Sequence, residues 1–103
     1  MFDLSPLTGK ITFDDLSPLT DQPLAGQIDS LKEDLLQVEY GAQWLLDVGW
    51  YPEFDEAGAF RVAVIKDQDW AHPQWTGQAQ TLAELTARLT EAQRELHARL
   101  DLP

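Results

Sequence analysis

Almost every side chain of this 103-residue sequence that could do chemistry is a carboxylate: 18 Asp and Glu stand against 7 Lys and Arg, two His and no Cys. Without cysteine there is no disulfide, no thiolate nucleophile and no thiolate metal site. No nucleophile elbow, phosphate-binding loop, dinucleotide fingerprint, H-E-x-x-H or calcium-loop pattern occurs. His72 precedes Pro73 in a loop and His97 lies beside the apolar stripe of a helix, so both read as surface residues. Ser5 and Ser17 fall in Ser-Pro turns and Ser30 in a helical stretch, none with a histidine to activate it. Catalysis and a cofactor are therefore not expected. The chemistry left is that of carboxylates held near one another, which attract a cation: a lysine or arginine of another protein, or a hard metal ion. A metal is the weaker expectation, because no glycine-punctuated loop or carboxylate cage surrounds the candidates. Screening by solvent, with nothing bound, is the plainer alternative.

Which carboxylates meet depends on the elements that carry them. The chain opens with an internal repeat, Asp3-Leu4-Ser5-Pro6-Leu7-Thr8 and Asp15-Leu16-Ser17-Pro18-Leu19-Thr20. Each Ser-Pro step disfavours helix, so residues 1–20 read as an extended or turn-like arm, with Ile11 to Phe13 as a short edge strand. Residues 21–103 read as a single domain. Asp21 as N-cap, Pro23 near the first helical position, and Leu24, Ile28, Leu31 and Leu35 at helical spacing predict helix one over 22–34. Leu36 to Tyr40 alternates as a strand, Trp44 to Tyr51 is the strongest strand, and Pro52 closes it. Asp55 to Gly58 reads as a type I turn ending in a left-handed glycine, and Phe60 to Asp67 as the return strand. A further edge strand is expected around Trp75 to Gln80. Thr81 and Glu84 form a T-x-x-E capping box, after which Leu82, Leu85, Leu89, Ala92, Leu96 and Leu100 make one helical stripe, stopped at Asp101 to Pro103.

Turn length then sets register. A Gly41 to Gln43 loop, with Gln43 left-handed, pairs Leu36 with Val48; a residue 56–58 loop pairs Trp50 with Val64, Glu53 with Arg61 and Asp47 with Asp67. Every even position becomes core: Leu36, Val38, Tyr40, Trp44, Leu46, Val48, Trp50, Phe60, Val62 and Val64. The expected fold is a two-layer α+β domain, an antiparallel meander of three to four strands with two helices on that even face. The odd face stays uncovered. On it, Leu45, Tyr51 and Ile65 lie amid Glu39, Asp47, Glu53 and Asp67, with Asp69 close by, an apolar centre inside a charged rim. Trp70 and Trp75 are the tryptophans expected to be exposed, and Trp70 joins this candidate surface.

The balance of charge is −11, and residues 1–69 carry −10 of it. Nucleic acid is not an expected ligand, since its phosphates need clustered cations, and repulsion from an anionic membrane is expected. With no long apolar run and no basic leader, a cytoplasmic protein is expected. A basic protein is the partner its field selects.

The segment Leu46-Asp47-Val48-Gly49-Trp50-Tyr51-Pro52-Glu53, followed by Gly58-Ala59-Phe60-Arg61-Val62, Val64-Ile65-Lys66-Asp67 and Asp69-Trp70, resembles small bacterial immunity proteins of contact-dependent growth inhibition systems. The resemblance spans residues 36 to 100 and leaves the amino-terminal repeat without a counterpart. It implies a cytoplasmic monomer or weak dimer that neutralises a basic toxin domain, such as a nuclease, without catalysis. The alternative is an acidic adaptor or self-assembling structural protein with no toxin partner.

Overall fold

The computed structural model describes residues 2–100; the expected helix stop at 101–103 lies outside them. Five strands form one antiparallel meander in the order β1-β2-β3-β4-β5: β1 Lys10–Asp14, β2 Leu36–Tyr40, β3 Trp44–Tyr51, β4 Ala59–Lys66 and β5 Trp75–Ala79. One α-helix follows, α1 Leu82–Arg99, giving the α+β class that the alternation and the helical stripe imply. All ten even positions expected in the core are buried, none more than 9% exposed, and α1 seats Leu85, Leu89, Ala92 and Leu96 on them. Trp50 and Phe60 meet edge to face with ring centroids 4.8 Å apart at the centre of this layer. Thr81 caps α1 by accepting from the Glu84 N–H at 3.0 Å, while the Glu84 carboxylate reaches back to the Gln80 N–H at 2.7 Å. Such a cap contributes about 1 kcal/mol.

The amino-terminal arm is part of the core. Its two repeats form the same hydrogen-bonded turn, Leu7 N–H to Leu4 carbonyl and Leu19 N–H to Leu16 carbonyl, each at 3.0 Å. The Phe2 N–H donates to the Ser17 carbonyl and joins the copies. Leu4, Leu16 and Leu19 enter the core, and between the turns the chain runs as β1. Gln93 of α1 holds the first copy in place, accepting from the Thr8 N–H and the Tyr40 hydroxyl and donating to the Pro6 carbonyl.

Four expectations are corrected. Helix one is only a 3₁₀ segment, Leu24–Ser30, broken at Gln27 and without a side-chain cap. Leu31 and Leu35 are buried, but as part of an irregular strap from 31 to 35. In the first hairpin the pairing of Leu36 with Val48 is as expected, but Gly41, at φ 74°, and not Gln43, takes the left-handed conformation. In the second, Trp50 pairs with Phe60 and Asp47 with Ala63, so neither Asp47–Asp67 nor Glu53–Arg61 is a cross-strand pair. The connection runs from Pro52 to Gly58 because Pro52 has no N–H for the ladder, the Phe54 N–H donates to the Leu31 carbonyl, and the Trp50 indole donates to the Asp55 carbonyl at 2.7 Å. The Asp55 to Gly58 turn does close, Gly58 N–H to Asp55 carbonyl at 2.9 Å. Its glycine is not left-handed; a Cβ there would stand 2.6 Å from the Trp50 indole nitrogen.

Candidate functional site

The odd positions of β2, β3 and β4 form the outer face, and two chain segments fold over its ends. At one end the strap pairs with β3 through Leu35 N–H to Val48 carbonyl and Trp50 N–H to Lys32 carbonyl, at 2.9 and 2.8 Å. Glu33 and Asp34 are thereby looped out across β3. The Glu33 carbonyl passes so close to Gly49 that a Cβ there would lie 1.9 Å from it. At the other end, β4 runs into a tight turn in which Asp67 and Gln68 both adopt left-handed conformations, φ 54° and 61°, closed by Asp69 N–H to Lys66 carbonyl at 3.0 Å. Two successive non-glycine residues in that region are costly, of order 1 kcal/mol each or more. The turn delivers Trp70 back to the outer face.

Between strap and turn lies a depression of about 310 Å³ bordered by Asp34, Gln37, Asp47, Tyr51, Arg61 and Trp70, with Ala63 and Ile65 beneath. A second, of about 420 Å³, lies on the far side of Trp70 beside Glu39 and Leu45. The outer face is thus not bare, as the alternation alone suggests: Ala63 and Ile65 are buried, and Asp47 is only 9% exposed.

Asp47 is the one buried charged residue among those described. Its cross-strand neighbour Gln37 donates to Oδ1 over a long 3.4 Å, and Oδ2 has no hydrogen-bond partner among the described residues. Burial pushes the carboxyl up to about 6; Gln37 and Arg61 oppose the shift, while Asp34 adds to it. Burial also raises the Tyr51 hydroxyl, helped by the negative charges of Asp47 and Glu33. A carboxylate held this way is an acceptor short of donors, beside an aromatic surface. Such an acceptor, with the second carboxylate of Asp34 at the border of the same depression, is suited chemically to receive a hydrogen-bond donor or a cation.

The sequence-derived candidates divide accordingly. Asp47, Tyr51, Ile65 and Trp70 converge on the first depression, and Glu39 and Leu45 share Trp70 in the second. Asp67 lies four residues beyond Ala63 along the chain, in the turn, with Asp69 paired to His72 Nδ1 at 3.2 Å. Glu53 belongs to the 52–58 connection and not to the face. Of the two tryptophans expected outside, Trp70 is 49% exposed, but Trp75 packs against the core. Sequence reasoning missed Asp34, because Leu31 and Leu35 at helical spacing placed it on a helix. It also missed Phe54, 51% exposed at φ 60°, a conformation unusual for a bulky residue. No cluster of three or more His, Asp or Glu among the described residues is arranged to hold a metal ion. No helix among them is long and apolar enough to cross a membrane.

No protein-family model, no curated protein and no solved structure matches the chain.

Proposed function

We propose that the protein is an immunity-type inhibitor that binds and neutralises a basic toxin domain, such as a nuclease, through the outer face of its sheet. The observation that carries this reading is Asp47: a carboxylate nine-tenths buried, with one long hydrogen bond, in an aromatic-sided depression. A charge in such a position weakens the free protein, and a cation from a partner would recover the cost. Exposed Asp34 borders the same depression, Glu39 stands in the second beyond Trp70, Asp67 and Asp69 add charge in the turn that leads to Trp70, and Tyr51 and Trp70 supply aromatic surface of the kind that anchors interfaces. The regional −10 adds long-range attraction to any protein whose cleft is built for phosphate. Inhibition then needs no chemistry, only occupation of the basic surface in the bacterial cytoplasm where the toxin acts.

The test is whether the neighbouring gene encodes an exported protein with a basic carboxyl-terminal domain, and whether that domain binds this protein directly. The double change Asp47→Lys, Asp67→Lys should abolish this binding, and association of the unchanged protein should slow steeply as salt rises. Unaltered affinity in the double variant would remove the outer face as the docking surface.

A further inference from the structure

The first depression has a chemistry more specific than general acidity. Asp47 Oδ2 has no hydrogen-bond donor among the described residues and is open to solvent, and its side chain lines the depression. Trp70, half exposed, forms one border and the Tyr51 ring another, over an apolar base of Ala63 and Ile65. Asp34, carried out by the strap, adds a second carboxylate at the rim. We propose that this depression is the socket for one arginine side chain of the partner protein, whose guanidinium donates to Asp47 and lies against Trp70. The inference rests on the outer face being the docking surface and names what the partner brings to it.

Arginine fits better than the other cations. A guanidinium is planar and weakly hydrated, offers donors in a fixed fork that matches a carboxylate, and stacks on an indole while doing so. An ammonium gives up its hydration less readily and presents no flat face. A hard metal ion takes six or more oxygens, whereas two carboxylates, one amide and one phenol border this site. The chain's own Arg61 lines the same depression but forms no ion pair among the described residues, its exposed position on β4 pairing it with Gly49 and Gln78. It is positioned to partly neutralise the site until the partner's arginine displaces it.

N-acetyl-arginine amide and N-acetyl-lysine amide, titrated into the whole protein and followed by NMR of the Trp70 indole and the Asp47 carboxyl carbon, test the socket without any toxin. The arginine compound should bind with a Kd of about 1–10 mM, as expected of a fragment this small. The lysine compound should bind several-fold more weakly. Asp47→Asn, which keeps the shape of the side chain, and Trp70→Ala should each weaken the arginine compound about tenfold, and Arg61→Ala should tighten it. No response of these two residues up to about 50 mM, or equal binding by wild type and Asp47→Asn, overturns the socket. Toxin binding without an arginine response would overturn the socket alone. An arginine response without toxin binding would leave the socket standing and overturn the immunity function.

Discussion

The two faces of this sheet are made by the same strands and obey opposite rules. On the inner face, ten alternating apolar side chains meet α1 and the turns of the amino-terminal arm, and every one is buried. On the outer face, the covering is backbone at one end, where the Glu33 carbonyl crosses Gly49, and a single indole at the other. Between them an acidic side chain is nine-tenths buried with a single long hydrogen bond. The inner face is solved for stability. The outer face keeps a cost that the inner face does not carry, and the proposed docking of a partner there would account for it.

Four changes would break or sharpen this contrast. The largest effect belongs to the inner face: Phe60→Ala should cost about 3–5 kcal/mol in urea unfolding, through the cavity left beside Trp50. Gly49→Ala comes next, because the new methyl would collide with the Glu33 backbone and force the strap off β3. A loss of about 2–3 kcal/mol is expected, with the amide of Trp50, now bonded to Lys32, exchanging faster with solvent. Asp47→Asn should do the reverse. The folded carboxyl titrates near 6 against a reference of 3.8, so the folded protein holds this proton more tightly than the unfolded chain. Stability contributed at this residue is therefore full at acid pH, falls as pH rises from about 4 to about 6, and leaves a penalty of up to about 3 kcal/mol above that range. Removing the charge should raise stability at pH 8 by about that amount and flatten this part of the pH profile. The smallest effect is that of Trp70→Ala, under about 1 kcal/mol for a half-exposed ring. Its effect on partner binding should far exceed its effect on folding.

The contrast between faces was legible from alternation because parity, and not register, is what alternation encodes. Sliding β4 by four residues against β3, an even number, leaves every side chain on its own side, so the core set was correct while the pairing of Asp47 was not. Register in that hairpin is decided by Pro52, the Phe54 amide and the Trp50 indole, contacts that reach outside the two strands. The first hairpin, whose short loop leaves little freedom, was readable. Helix one failed for a related reason. Spacing of Leu24, Ile28, Leu31 and Leu35 suits a helix equally well as a broken segment followed by a strap, and the sequence records no backbone contact to distinguish them. Gly49 was the available sign, a glycine in mid-strand that marks the close approach of another chain segment. The repeat's two Ser-Pro turns were legible as turns, but their burial depends on leucines reaching a core built from residues far along the chain.

One variant measured two ways tests the account most directly. Asp47→Asn should unfold at higher urea than the unchanged protein at pH 8 and should bind the basic toxin domain at least tenfold more weakly. A variant that is less stable, or that binds as tightly as before, would make Asp47 an ordinary structural residue and contradict the assignment of the outer face.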